Sequence, residues 1–282
     1  MVARREPATF SNRPPTFLAV HTDPAPTSPA PNSPVLLTPA ADGVLRLTLN
    51  RPQALNALNR ELTAALESAL ERVAAMSDVR VLLVCGQGRA FCAGNDIKEM
   101  ETVTADEAQA LATRHAVLMD RFSTLPQVTL AVIDGHALGG GLMLAVAQDL
   151  RIASDRARLG LPEVTLGFNP GYGIARFLDV AGGGHGRDLL LSGRVVHASE
   201  ALRMGLVNRV VAPPTLDASA TRWASEIAAS PGEGLAATKA IVAAIRAGTL
   251  GREPEAYGAA LRTSAAARAR IRAFAERNRR SG

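Results

Sequence analysis

The sequence predicts an α/β protein in which a mostly parallel sheet is covered by helices. Strand-like apolar runs alternate with helix-like segments from residue 43 to about residue 154, an order typical of parallel sheets. The run VRVLLVC is almost continuously apolar, which indicates a strand covered on both faces. Two glycine-containing turns each follow such a strand and open the next helix.

The first strand and helix of this alternation have clear periods. Residues 43–50, GVLRLTLN, alternate apolar and polar side chains, which predicts a strand. Residues 58–76 predict a helix, with Asn56 or Asn59 as its N-cap. Apolar residues three or four positions apart share one face of it. They are Leu62, Leu66, Leu70 and Val73.

The following segments continue the alternation. A strand is predicted at 79–85, a helix rich in alanine and leucine at about 105–124, and a third strand, VTLAVID, at 128–134. The segment GGGLMLAVAQ (139–148) starts a helix, and LRIAS (150–154) is a short fourth strand. Strands and helices in this order favour parallel pairing.

We divide the chain into three regions. Nine of the 17 prolines lie at or before Pro39. Proline removes backbone donors and favours extended, solvated chain, so residues 1–37 are predicted to be a disordered tail. Residues 38–200 form the α/β core, and 201–282 are a C-terminal helical region, because the chain after about residue 186 has a nearly all-helical pattern.

Composition narrows the class of protein. Of 282 residues, 47% are apolar and 20% charged, which is ordinary for a soluble globular protein. Cys85 and Cys92 cannot form a disulfide framework, and no metal-type Cys/His spacing accompanies them. No signal-like segment and no apolar run of membrane-spanning length occurs. These features predict a cytoplasmic protein without a metal or a membrane partner.

The two glycine-containing turns are the first functional candidates. Ala93, Gly94 and Asn95 follow one strand, and 139–141 follow another. A helix start offers unpaired N–H groups and a positive dipole, so it suits a phosphate or an oxyanion, although tight packing alone also requires glycine. The Walker A, G-x-G-x-x-G and G-x-S-x-G patterns are absent. Two such turns suit enolisation of a thioester, where each backbone donor contributes on the order of 3 kcal/mol.

Five ordered segments carry a family resemblance. LNRPQALNALN, AFCAGNDIKEM, DGHALGGGLMLAVAQDLRIAS, LGLPEVTLGFNPGYG and LLLSGRVVHASEALRMGLVNRVV resemble the enoyl-CoA hydratase/isomerase, or crotonase, superfamily. The resemblance covers about 43–250 and implies a repeated β-β-α spiral core with a C-terminal helical trimerisation region. It also implies a homotrimer or hexamer, a role in lipid metabolism and an acyl-CoA or acyl-carrier thioester substrate. Coenzyme A is then part of the substrate, and no separate cofactor is expected.

The same resemblance assigns site residues. The oxyanion donors fall on the N–H groups of Asn95 and Gly140, and the carboxylate of the L-P-E segment is Glu163. These three are the predicted catalytic residues. Six further positions are predicted to contact substrate. They are Ala93, Asp96, Ile97, Gly139, Met143 and Gly171.

Met143 is a departure from the hydratase pattern, because hydratases of the family carry a second glutamate there. Adding water to a 2-enoyl thioester needs one group to activate water and one to handle the C2 proton, and methionine does neither. One carboxylate suffices to move a double bond. The sequence therefore favours an isomerase over a hydratase. Asn169 and Tyr172 could line the acyl pocket and support other chemistry, such as decarboxylation, or could be loop structure.

The basic C-terminus leaves another class open. From Lys239 onward ten Lys/Arg and three Glu give +7, against +5 for the whole chain. This charge suits coenzyme A phosphates, trimer contacts or a solvated face. A nucleic-acid partner is the alternative, against which stands an aromatic content of 4%. A non-catalytic acyl-CoA-binding scaffold is also compatible with Met143.

Overall fold

The computed structural model describes residues 33–249 and 259–281. Most of the predicted tail, residues 1–32, lies outside these described residues. The strands of the described part are β1 Val35–Ala41, β2 Val44–Leu49, β3 Val81–Gly86, β4 Ala90–Cys92, β5 Val128–Ile133, β6 His136–Leu138, β7 Leu150–Ser154, β8 Arg158–Gly160, β9 Val195–His197 and β10 Arg209–Val211.

The helices flank these strands and dominate the second half of the chain. They are α1 Arg60–Ala74, α2 Ile97–Met100, α3 Ala105–Thr124, α4 Gly140–Ala147, α5 Ile174–Ala181, α6 Gly183–Ser192, α7 Ala198–Arg203, α8 Leu216–Ala228, α9 Gly232–Arg246, α10 Ala259–Thr263 and α11 Ala265–Ser281.

A six-stranded sheet forms the centre of the fold. Its strand order is β1-β2-β3-β5-β7-β10, and every pair is parallel except the antiparallel edge pair of β1 and β2. The apolar strands β3 and β5 lie in the middle and are buried along almost their whole length. The predicted parallel sheet is therefore confirmed.

A second, smaller sheet has the order β4-β6-β8-β9. Each of β4, β6 and β8 follows a strand of the large sheet within a few residues, so the chain repeats a strand–strand–helix unit. This is the repeated β-β-α core that the family resemblance implies. The three-residue strands themselves were not predicted, because so short a run shows no period.

Helix α1 shows how the predicted pattern becomes packing. Its four predicted apolar residues are all buried against the sheet. The Asn59 side chain accepts a hydrogen bond from the Leu62 N–H at 2.8 Å, so Asn59 is the N-cap. Asn56 instead joins the loop before α1 to the loop between β3 and β4, because its side-chain amide donates hydrogen bonds to the carbonyls of Gln87 and Ala90.

One predicted boundary is wrong, and one predicted region is less uniformly helical than expected. Residues 35–37, assigned to the tail, begin β1, since an edge strand tolerates the nearby Pro39. The region after residue 186, predicted to be nearly all helical, contains β9 and β10, which extend the two sheets. Both strands are three residues long and gain their stability from strands formed earlier in the chain.

Two kinds of feature are absent from the described residues. No helix among residues 33–249 and 259–281 combines the length and apolarity needed to cross a bilayer. In the same part of the chain, no three His, Cys, Asp or Glu side chains are grouped so that they could hold a metal ion.

Candidate active site

The first turn of the site follows β4. The N–H groups of Ala93 and Asp96 donate hydrogen bonds to backbone carbonyls in the loop before α1, at 3.0 Å each. Asn95 lies between them, and within the described residues its own N–H has no hydrogen-bond partner. Gly94 has a φ of 109°, a conformation that other residues rarely adopt. This turn therefore presents one free backbone donor.

The second turn follows β6 and opens α4. The Gly139 N–H donates to the Gly160 carbonyl at 2.9 Å. Gly140 is the first residue of α4, so its N–H has no partner inside the helix. All eight residues of α4 are buried, and the positive end of the helix dipole is therefore weakly screened by water. A Cβ at Gly141 would collide with the Cys92 carbonyl oxygen, so close packing on β4 explains that glycine.

The fold brings these two turns into contact. A Cβ added at Gly94 would lie 3.6 Å from the Gly140 nitrogen. A Cβ added at Gly140 would lie 2.6 Å from Asn95 Oδ1. The residues whose N–H groups were predicted to form an oxyanion site are thus neighbours, and their joint hydrogen bonding to one oxygen stays a prediction.

Glu163 lies beside the same turns, on the short 3₁₀ turn Pro162–Leu166. A Cβ added at Gly139 would lie 2.9 Å from Glu163 Oε1. Glu163 Oε2 is buried and, in the described part of the chain, has no hydrogen-bond partner. Burial raises the pKa of this carboxyl group above its ordinary value. Among residues 33–249 and 259–281 no cation forms an ion pair with Glu163, and a carboxylate with a raised pKa is a stronger base than a solvated glutamate.

Met143 lies one turn into α4 and is 2% exposed. Its sulfur would be 3.0 Å from a Cβ added at Gly173, the residue that precedes α5. The position at which the family resemblance implies a second carboxylate in hydratases is thus occupied by a buried thioether, which cannot transfer a proton.

Tyr172 contacts a predicted catalytic residue, although its sequence pattern was also compatible with loop structure. Its hydroxyl donates a hydrogen bond to Asn95 Oδ1 at 3.0 Å, and its ring meets that of His115 edge-on at 5.2 Å between centroids. Asn169 is exposed, and its side chain donates to the Pro170 carbonyl. Of this pair, the structure brings only Tyr172 into contact with a predicted catalytic residue.

The remaining predicted substrate contacts differ in environment. The Asp96 carboxylate pairs with Arg51 at 3.1 Å and caps α2, so it has protein partners that explain it. Ile97 is 66% exposed. Gly171 is also exposed, and a Cβ there would lie 3.3 Å from the Ala112 side chain on α3. Ile97 and Gly171 are accessible to a ligand, whereas Asp96 holds the first turn in place.

A cavity of about 610 Å³ lies beside these residues, between α3, α5 and α9. Gly173 lines it, but Glu163 and Asn95 do not. Its polar lining includes Arg176 and Arg246, which both lie beside Asp120. This cavity is therefore adjacent to the two turns and separate from the group that contains Glu163.

Comparisons with known proteins agree with the geometry. A model of the family described as enoyl-CoA hydratase/isomerase matches residues 40–279. A putative enoyl-CoA hydratase/isomerase of Bacillus subtilis, YngF, is 41% identical over 201 residues, which cover 70% of this chain and 76% of that protein. A short-chain-enoyl-CoA hydratase of Clostridium acetobutylicum is 37% identical over 183 residues, covering 64% of this chain and 70% of that protein.

Solved structures show the same similarity. An enoyl-CoA hydratase of Mycobacterium smegmatis superposes with a TM-score of 0.78 at 31% identity, over 86% of this chain and 96% of that chain. The similarity therefore extends over most of the described fold.

Proposed function

This chain belongs to the enoyl-CoA hydratase/isomerase family, and on that premise we propose that it moves the double bond of a 3-enoyl thioester to the 2-position. Glu163 is the single acid/base of this reaction. The substrate is an acyl-CoA or an acyl-carrier thioester, and coenzyme A enters only as part of it.

The reaction begins with the thioester oxygen between the N–H groups of Asn95 and Gly140. Glu163 takes a proton from C2, and the electron pair spreads over C2 to C4 and onto the oxygen. The two N–H groups stabilise the negative charge that develops there. The protonated Glu163 then returns the proton at C4, which leaves a 2-enoyl thioester. Protons and electrons balance without a second acid or base.

Met143 is the observation that carries the choice of isomerisation. Hydration needs a second proton-transferring group near C2 and C3, and general acid–base catalysis typically contributes about 10²–10⁴-fold per group. A buried methionine stands at the matching position on α4. This supports a reaction that one carboxylate completes.

The Glu163→Gln variant tests the proposal. Glutamine keeps the size of the side chain but cannot accept the C2 proton, so isomerisation of a 3-enoyl-CoA should fall by at least about 10²-fold. Binding of butyryl-CoA, which has no double bond, should persist because the backbone donors remain. Glu226→Gln, at an exposed position of α8, is the matched control and should keep full activity. Full activity of Glu163→Gln would contradict the assignment.

Hydration of a 2-enoyl thioester is the second candidate, because a relative from Clostridium acetobutylicum is named as a short-chain-enoyl-CoA hydratase. It requires a residue other than Met143 to supply the second proton transfer. Crotonyl-CoA hydration by the unaltered protein measures this activity directly.

We also propose that the chain assembles as a homotrimer or a hexamer. Leu191, Val195 and Leu202 are large apolar residues with 75%, 43% and 43% exposure, and they lie near one another in the chain on α6, β9 and α7. Leu189, also on α6, is buried within its own chain and does not belong to this exposed set. A stable monomer in sedimentation at micromolar concentration would contradict this assembly.

A further inference from the structure

The Tyr172 hydroxyl touches both residues that carry the proposed oxyanion donors. It lies 3.0 Å from Asn95 Oδ1. It would lie 2.5 Å from a Cβ added at Gly140, so it occupies the space where a side chain at position 140 would begin. A third hydrogen-bond donor is thus located where the two turns meet.

The phenol ring is held rigidly in this position. Tyr172 is 8% exposed and packs against the buried His115. His115 Nε2 is in turn 3.1 Å from the Thr63 hydroxyl on α1. Burial lowers the pKa of His115 to about 4, so the imidazole beside the ring is neutral at pH 7. The hydroxyl is therefore preorganised by folding, as efficient electrostatic stabilisation requires.

The protonation state of Tyr172 fits a donor and excludes a base. Burial raises the pKa of the phenol, and the negative charge of the nearby Glu163 raises it further. The hydroxyl therefore keeps its proton throughout the physiological range. It cannot supply the second base that hydration needs.

The present acceptor of this proton is weaker than the one that the reaction creates. Asn95 Oδ1 is a neutral amide oxygen, whereas the oxygen of an enolate carries negative charge. Hydrogen bonds to a charged acceptor are roughly twice as strong as neutral ones. Enolate formation beside the hydroxyl therefore favours a change of acceptor.

We propose that Tyr172 is a catalytic residue whose hydroxyl turns from Asn95 Oδ1 to the thioester oxygen as that oxygen gains charge. It then acts together with the N–H groups of Asn95 and Gly140. The phenol proton stays on Tyr172, and only its hydrogen-bond acceptor changes. This inference rests on the proposed function, because it requires a thioester that is enolised at the two turns.

Acetoacetyl-CoA provides the test, because its C2 proton is acidic enough for the enolate to form on the protein without turnover. Near-ultraviolet absorbance during a pH titration gives the pKa of the bound ligand. The full-length unaltered protein should lower this pKa. Tyr172→Phe keeps the ring and loses only the hydroxyl, so it should raise the pKa of the bound ligand by about two units, the effect of losing one donor. The Kd of butyryl-CoA should change by less than about threefold, since a neutral thioester gains little from the extra donor.

Asn95→Ala separates a direct role from an indirect one. It removes Oδ1 and keeps the backbone N–H. It should therefore raise the pKa of the bound ligand by at least about one unit less than Tyr172→Phe does. If Tyr172 acts only by orienting Asn95, the two variants should raise the pKa of the bound ligand equally, and the double variant should raise it no further. That result would overturn the inference.

Three further outcomes are informative. If the pKa of the bound ligand is the same in the unaltered protein and in Tyr172→Phe, the inference is wrong, but the proposed function is not contradicted. No lowering of the pKa by the unaltered protein contradicts the proposed function, and the inference fails with it. A fluorinated tyrosine at position 172, whose hydroxyl is a stronger acid, should lower the pKa of the bound ligand further. Damage to the fold would not shift the pKa in this direction. If the pKa of the bound ligand does not fall, the result contradicts the inference.

Discussion

Replacing Gly140 by alanine tests the contact between the two turns. The substitution keeps the backbone N–H and an ordinary helical φ, so the proposed donor itself survives. The new methyl group would lie 2.5 Å from the Tyr172 hydroxyl and 2.6 Å from Asn95 Oδ1. Both distances are well below van der Waals contact, so the two side chains must move away from α4.

The size of the effect follows from what must move. Overpacking of this kind typically costs about 1–3 kcal/mol. In a domain of this size that corresponds to a fall in Tm of roughly 2–10 °C. The displaced groups enter the space assigned to the thioester oxygen, so kcat/KM for isomerisation should fall by about 10²-fold, the loss expected for one oxyanion donor.

Alanine substitutions at two other glycines serve as controls for this result. Gly184→Ala in α6 meets nothing within 4 Å and should leave activity unchanged, with stability equal or higher by up to about 1 kcal/mol. Gly141→Ala collides with a backbone carbonyl, which cannot rotate away, and should destabilise more than Gly140→Ala. Thermal denaturation and a 3-enoyl-CoA assay measure all three. A Gly140→Ala protein that melts and turns over like Gly184→Ala would refute the contact between the turns.

Further predictions concern the carboxylate and the core. Met143→Glu should raise crotonyl-CoA hydration by at least about tenfold over a Met143→Gln control, because it adds a second proton-transferring group. Because burial raises the pKa of Glu163, and its active form is the carboxylate, kcat/KM should fall with decreasing pH at a midpoint above the ordinary pKa of a glutamate, and a midpoint at or below the ordinary pKa would contradict this environment. Lys239→Met removes the ammonium group that pairs with the Asp149 carboxylate at 2.7 Å and should reduce the free energy of unfolding in urea by about 2–3 kcal/mol, less than for a fully buried pair because Asp149 is 29% exposed. Lys98→Met, at an exposed lysine, is its control.

The fold was predictable where apolar residues recur at a regular spacing in the sequence. The four apolar residues of α1 recur at helical spacing, and the apolar strands β3 and β5 match the expectation for a parallel sheet. The small sheet was beyond this reasoning, because β4, β6 and β8 are three residues long and are stabilised by one another rather than by their own pattern.

The site was predictable to the extent that motifs fix it. Asn95, Gly140 and Glu163 could be located because each lies in a segment that resembles the family, and the fold places all three around the same turns. Tyr172 could not be assigned a role from its segment, because its partner Asn95 is 77 positions away and the contact depends on how α5 and β4 each pack against α4. Asp96 shows the reverse case, since its motif position suggested substrate contact while its carboxylate is bound by Arg51.

The most direct test of the account compares two activities of the unaltered protein under the same conditions. Isomerisation of a 3-enoyl-CoA to the 2-enoyl form should have the larger kcat/KM, and crotonyl-CoA hydration should be lower by at least about 10²-fold, the contribution of the proton-transferring group that Met143 lacks. A kcat/KM for crotonyl-CoA hydration equal to or above that for isomerisation would contradict the assignment of Glu163 as the single acid/base.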